Sequence, residues 1–249
     1  MNGMVKPKTY GRMGNFLFQA ATAIGYASKW GLPYTLPNTT KNPKWNPIYL
    51  QHLVNPHWDP SLAEALIKET SHGFQSLPFN EEWRGSHNII LDGYWQTEKY
   101  FKEYRNEVLK AFAFKWNPRP GWVSVHVRRT DYIKLAHKHP PVTAQWYTEA
   151  MARFPGMRFV FFSDDIPWCR ENFGKRNDVW FSVCRPEEED LVHMSECEHH
   201  VCSASTFSWW GAWLNQNPEK QIIIPKLWFV PGHNNLDTSD IVPEEWTRL

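Results

Sequence analysis

The chain has little cysteine. Its 249 residues contain four, Cys169, Cys184, Cys197 and Cys202, with none of the paired spacing of a disulfide scaffold. A chain this long can bury enough apolar surface to fold without covalent staples, so a reducing compartment, the cytoplasm, is expected. An excess of one charge is also missing. Lys and Arg number 27 against 26 Asp and Glu, a formal net charge of +1, which excludes global attraction to nucleic acid or to an anionic membrane. Any anion must therefore be held by local groups. No apolar run is long enough to span a bilayer and no signal-peptide pattern opens the sequence, so neither a transmembrane segment nor a cleaved leader is expected. Internal repeats and low-complexity tracts are absent too. Cys197-x-His199-His200-x-Cys202, with His193 nearby, fits no standard zinc spacing, and Val201-Cys202 reads as buried strand; no metal is expected.

Aromatic residues are plentiful: 15 Trp, 15 Phe and 9 Tyr. Rings can stack on the apolar faces of sugars, but large rings also bury well, and most are expected in the core.

The most informative stretch is Val125-His126-Val127-Arg128-Arg129-Thr130-Asp131. The β-branched run from Trp122 to Val127, opened by Pro120-Gly121, predicts a strand of a parallel sheet. Ligands of open α/β sheets collect outside the carboxyl ends of the strands, where Arg128, Arg129 and Asp131 would sit. Arginine offers a planar fork of donors matched to phosphate, so the pair reads as a diphosphate clamp. His126 lies two residues before Arg128 and points to the same face, as a nucleotide contact or as a satisfied core histidine. A second apolar run, Arg158 to Phe162, ends in Ser163-Asp164-Asp165, and a third, His200 to Cys202, leads into Ser203-Ala204-Ser205-Thr206-Phe207-Ser208-Trp209-Trp210. Hydroxyl residues ahead of a helical run are N-cap chemistry, and a helix start with spare donors binds phosphate.

These residues together resemble the inverting α-1,2-fucosyltransferase family of glycosyltransferases. The resemblance rests on His126-x-Arg128-Arg129-x-Asp131, Phe162-Ser163-Asp164-Asp165, Asp190-Leu191 with Met194-Ser195, and Ser205 to Trp213. Upstream, Gly11-Arg12-Met13-Gly14-Asn15 with Phe18-Gln19, and Asp92 to Phe101, match the family's N-terminal patterns. The match is thinnest between Asn38 and His87. Where bacterial members carry a second glycine in the first loop and glutamine after its asparagine, this chain has Arg12 and Phe16; where many have asparagine before the Ser-Thr-Phe run, it has Ala204.

The resemblance implies an α/β fold of two facing Rossmann-like lobes, the GT-B type in a compact version: residues 1–117 on the acceptor side and 118–249 binding GDP-fucose. It implies transfer of L-fucose from GDP-β-L-fucose to the 2-hydroxyl of a terminal β-galactoside with no divalent metal or other cofactor, the arginines neutralising the diphosphate. Donor contacts fall to His126, Arg128, Arg129, Ser205, Thr206 and Phe207, with Gly14 and Asn15 on a loop facing the cleft. Asp164, Asp165 and Asp190 are candidates for guanine, since a carboxylate accepts from its N1–H and amine together; one of the Asp164-Asp165 pair is expected to be a helix N-cap, and Asp190 fits the first turn of a helix equally well. For the base, Asp131 comes first, with an alternative role of orienting an arginine, and His137 second; Glu98 and Asp92 are weaker options. Transfer at another position or onto protein, and a glycan-binding protein without turnover, remain alternatives.

Elsewhere, Met4 to Tyr10 is expected as a strand weakened by Pro7, Phe16 to Ala27 as a helix closed by Gly31, and residues 38–60 as loop. Asn88 to Leu91 is a predicted strand, Glu98 to Phe112 a helix, and Lys115 to Gly121 a linker. Helices follow at Ala144 to Phe154, Ile166 to Asn172, Pro186 to Ser195 and Thr206 to Asn215, then a strand from Gln221 to Ile224.

Overall fold

A computed structural model describes residues 3–37, 53–54, 57–113, 115–183, 186–233 and 236–249. Most of the loop expected at 38–60, and Cys184, lie outside them. The chain divides into two α/β units. One holds residues 1–114 with 236–243, the other 115–235 with 244–249. The sequence reading grouped 118–249 together. The return of 236–243 to the first unit rests on Asp240, which pairs with Lys99 and accepts from the Phe74 amide at 2.9 Å.

In the first unit, β1 (Val5–Pro7), β2 (Ala63–Lys68) and β3 (His87–Asp92) form a parallel sheet in the order β1-β3-β2, with Val5 and Ala65 both opposite Ile89. Pro7 is tolerated because β1 is at the sheet's edge, its outer side carrying a single bridge from Tyr34. Helix α1 (Met13–Trp30) is buried along almost its whole length and ends where Gly31 takes the left-handed conformation, φ 61°. Gly25 in this helix lets the Tyr100–Phe101 backbone come close; a Cβ there would lie 2.6 Å from the Tyr100 carbonyl oxygen.

The helix expected from Glu98 to Phe112 is instead two short 3-10 turns, Glu98–Tyr100 and Lys102–Tyr104, followed by α2 (Arg105–Phe112). Phe101, with ψ near 0° and its ring fully buried against Phe18, breaks the spiral: packing overrides the helical pattern there.

The second unit contains β4 (Arg119–Val127), α3 (Thr130–Lys134), α4 (Ala144–Met151), β5 (Arg158–Ser163), α5 (Ile166–Phe173), β6 (Val179–Phe181), α6 (Glu187–Glu196), β7 (Cys197–Val201), α7 (Thr206–Leu214), β8 (Ile222–Ile224) and β9 (Thr247–Arg248). All six strands are parallel, in the order β6-β5-β4-β7-β8-β9. The chain builds outward from β4 to β6, then returns to β7 and builds the other way. Order therefore reverses between β4 and β7, the place where doubly wound sheets open a ligand crevice. Val123, Val125 and Val127 of β4 pack with Phe159, Phe161 and Val201 in the core beside Tyr147 and Phe173. β4 begins inside the expected linker, and a register shift against β7 between Arg119 and Val123 absorbs the extra residues.

Candidate active site

The carboxyl ends of β4, β5 and β7 meet at the reversal of strand order. Arg128, the first residue beyond β4, is pinned on two sides. Its Nε and Nη2 donate to the two oxygens of Asp131 at 2.8 and 2.6 Å, and Nη1 lies 3.2 Å from Asp164 Oδ2. Burial works against its charge, but the Asp131 bonds and the Asp164 field outweigh it and raise its pKa. Arg129 turns the other way. Its Nε donates to Asp165 Oδ2 at 3.1 Å and its guanidinium lies 4.1 Å over the Trp168 ring, a cation–π seat that fixes the plane of the fork. Its two Nη groups make no hydrogen bond among the described residues.

The two carboxylates after β5 hold this arrangement from below. Asp164 accepts from the backbone N–H of Arg129 at 2.9 Å and of Thr130 at 3.2 Å, and from the Thr130 hydroxyl. It thereby caps the short helix α3, which has no capping side chain of its own. Asp165 caps α5, accepting from Trp168 N at 3.1 Å, while its other oxygen takes Arg129. One of the pair is thus an N-cap, as expected, and both brace the arginines.

Across the reversal, His126 Nδ1 is 2.8 Å from Ser203 Oγ, and its ring centroid is 5.4 Å from that of Phe207 at the start of α7. Burial, then the neighbouring Arg128 charge, push the His126 pKa down to about 3, so the ring is neutral near pH 7. Ser205 caps α7, weakly, through Phe207 N at 3.4 Å, and Thr206 is half-buried in the first turn. Tyr132 of α3 donates to the Ala204 carbonyl at 2.9 Å, with Arg128 over its ring at 5.9 Å. The carboxyl end of β4 and helix α3 are thus each tied once to the loop after β7. Together they present guanidinium groups, a helix start and hydroxyls in one place, which is anion-binding chemistry.

The sequence profile described as glycosyl transferase family 11 matches residues 68–249, well over half of the chain.

The chain belongs to glycosyl transferase family 11.

An alpha-1,2-colitosyltransferase of Escherichia coli is 31% identical to this family 11 chain over 200 residues, 71% of the chain and 68% of that relative. Galactoside alpha-(1,2)-fucosyltransferase 2 of Hylobates lar is 25% identical over 247 residues, 86% of the chain and 70% of the relative. Among solved structures, POFUT1 in complex with GDP-fucose superposes with a TM-score of 0.51 at 13% identity, covering 90% of this chain and 98% of that one. That likeness concerns the fold alone, and it bears out the α/β, GT-B-type architecture. The protein is a glycosyltransferase. No helix among the described residues is long and apolar enough to cross a membrane.

Not every residue expected at the site of this family 11 enzyme lies at the β4–β7 reversal of the second unit. Asp190, in the first turn of α6, accepts from Ser182 at 2.6 Å, beyond the carboxyl end of edge strand β6. His137 is exposed in the turn after α3 and bonds to none of the other candidates. Gly14 is buried in the first turn of α1 in the other unit, where Asn15 Oδ1 accepts from Gln96 at 2.9 Å. The loop's dihedral demand falls on Gly11, φ 75°, whose Cβ would meet the Asn15 amide. Two supporting residues, Tyr132 and Trp168, carry no expectation from the sequence, and Ser203, expected among the hydroxyls ahead of α7, bonds His126 instead. Ser203 and Tyr132 carry no local signal for their long-range bonds. Trp168, three residues after the N-cap Asp165, was findable from the capping pattern.

The cysteine-histidine stretch is accounted for by structure. His200 bonds Ser124 and Asn215 at 2.7 Å each, and burial pushes the Cys197 and Cys202 thiols up to about 12.

Proposed function

We propose that this family 11 enzyme transfers L-fucose from GDP-β-L-fucose to the 2-hydroxyl of a terminal β-galactoside with inversion. The observation that carries the reading is the guanidinium pair at the β4–β7 reversal, held by three carboxylates. Negative charge grows on the β-phosphate as the glycosidic bond to GDP breaks, and donors fixed in advance stabilise it without reorganising. Arg129, with its terminal nitrogens unspent, and Arg128, with one N–H left on each terminal nitrogen, supply those donors. The start of α7 at Ser205, Thr206 and Phe207 adds N–H and O–H groups.

In this reading the two arginines take the part a divalent cation plays elsewhere, and the reaction needs no metal. Asp131 spends both oxygens on Arg128 and so orients the arginine. Asp164 is engaged by four donors and Asp165 by Trp168 N and Arg129 Nε, which leaves Asp190, away from the arginines beyond the carboxyl end of β6, as the carboxylate for guanine. The second unit is then the GDP-fucose lobe and the first the acceptor lobe.

The deciding experiment is GDP release from GDP-fucose, with and without lactose, in the presence of chelator. Lactose-dependent release is expected to persist in chelator and to fall about 10²–10³-fold in Arg129→Ala. An α-1,2 linkage in the isolated product completes the assignment. A second reading, transfer of colitose, is favoured by the Escherichia coli relative named above. Turnover of GDP-colitose with no turnover of GDP-fucose would replace the first reading with it.

A further inference from the structure

The reading above leaves unassigned a surface at the carboxyl end of the other sheet. β1 and β3 are adjacent and parallel, and two tyrosines stand just beyond their ends: Tyr10, three residues after β1, and Tyr94, two after β3. Their rings are 5.8 Å apart at 45°, and both are exposed, at 38% and 39%. Asp92, the last residue of β3, lies with them, its Oδ1 accepting from Tyr10 OH at 2.6 Å and its Oδ2 from Lys8 Nζ at 2.8 Å.

Exposed rings on loops are commonplace, but these two are held. Gln19, fully buried on α1, grips the Tyr10 backbone from both sides, accepting from its N–H at 3.1 Å and donating to its carbonyl at 3.4 Å. Glu69 does the same for the second ring. Its carboxylate accepts from Tyr94 N at 2.7 Å and Trp95 N at 2.9 Å. Trp95, fully buried, is driven to φ 57°, a left-handed conformation that a bulky side chain adopts only where its surroundings over-determine it. Gly93 is required beside it, since a Cβ there would lie 2.4 Å from Glu69 Cβ and 2.8 Å from the Trp95 ring. Folding thus spends strain and buried polar groups to present two tyrosine rings to solvent in fixed positions.

We infer that Tyr10, Tyr94 and Asp92 form the subsite for the acceptor's terminal galactose, an inference that rests on the proposed transferase reading and names where its acceptor binds. A pyranose has an apolar face and a rim of hydroxyls. Paired rings cover the face and a carboxylate takes the rim, the few-polar, mostly aromatic make-up of small-ligand sites. Asp92 retains accepting capacity, because each oxygen carries one protein donor and has lone pairs to spare. Its location outside the carboxyl ends of parallel strands is where such sheets bind ligands.

The test uses the full chain and lactose as probe, read by saturation-transfer NMR, in the native protein, Tyr94→Ala and Tyr94→Phe. Tyr94→Ala is expected to weaken lactose binding about tenfold, and Tyr94→Phe to hold within about twofold, since the ring rather than the hydroxyl covers the sugar. Both variants are expected to keep the native far-UV circular dichroism and a cooperative urea transition, which shows that they fold. Unaltered lactose binding in Tyr94→Ala overturns the inference, as does a native protein that binds GDP-fucose but no β-galactoside. If lactose binding depends on Tyr94 while GDP-fucose is neither bound nor turned over, the subsite stands and the donor assignment falls.

Discussion

Asp164 holds Arg128 by its side chain and Arg129 by its backbone: Oδ2 lies 3.2 Å from Arg128 Nη1, and Oδ1 accepts from Arg129 N at 2.9 Å. One carboxylate from β5 thereby sets both the guanidinium and the chain direction after β4. Replacing it with alanine leaves two amides and a hydroxyl at the start of α3 without their acceptor. The expected loss is about 1–3 kcal/mol of stability in urea unfolding, with turnover down about 100-fold as Arg128 shifts. Asp164→Asn keeps an acceptor and loses the charge, so its turnover should fall between. Native turnover in Asp164→Ala would show that Arg128 is positioned by Asp131 alone.

Arg129 is fixed by shape as well as charge. Its plane rests on Trp168, and Asp165 takes Nε. Lysine at 129 keeps the charge but has no fork to lie on the ring or to span two phosphate oxygens. Arg129→Lys should therefore remain within about tenfold of Arg129→Ala in kcat. Trp168→Ala should raise the donor KM about fivefold, from a cation–π seat worth about 1 kcal/mol, with kcat less affected. Recovery of native kcat by Arg129→Lys would reduce the site to a point charge.

His126 gives the protein an acid limit. Its pKa is held near 3 in the folded chain, against about 6.5 unfolded. The unfolded state therefore binds the proton first, and stability contributed by the neutral ring is complete above about pH 6.5 and lost as pH falls toward 3. His200, fully buried and shifted the same way, adds to the slope. Urea midpoints at constant m should decline from pH 6.5 downward. In His126→Asn the decline should be shallower, by up to about 1.4 kcal/mol per pH unit. An unchanged slope would mean that His126 titrates normally and is less enclosed than its bond to Ser203 implies.

Strands with continuous apolar runs were legible in the sequence. The Trp122–Val127 run, Arg158 to Phe162 and Gln221 to Ile224 became β4, β5 and β8, and Gly31 marked the end of α1. β2 was not legible, because Ala63–Lys68 turns only Ala65 and Ile67 inward and shows charge on its other face. α3 was missed for a different reason. Five residues cannot display a helical period, and the cap comes from Asp164, 34 residues away from Thr130. The arginine motif announced an anion site, whereas the carboxylates that orient it and the backbone strain at Trp95 are long-range outcomes of packing that no local pattern encodes.

Gly93 tests whether that strain is built in. Its Cα faces Glu69 and the Trp95 ring with no space for a methyl group, and the Glu69 carboxylate is what fixes the Tyr94 and Trp95 amides. Gly93→Ala must push Glu69 away, so it costs packing at Trp95 and frees the Tyr94 loop together. Overpacking of this kind costs about 1–3 kcal/mol, and urea unfolding should show it. In the folded fraction, lactose affinity should fall alongside while GDP-fucose affinity holds, because the changed contacts all belong to the first unit. Loss of stability with lactose affinity intact would mean that Glu69 fixes Trp95 for the core alone and that Tyr94 finds its place without it.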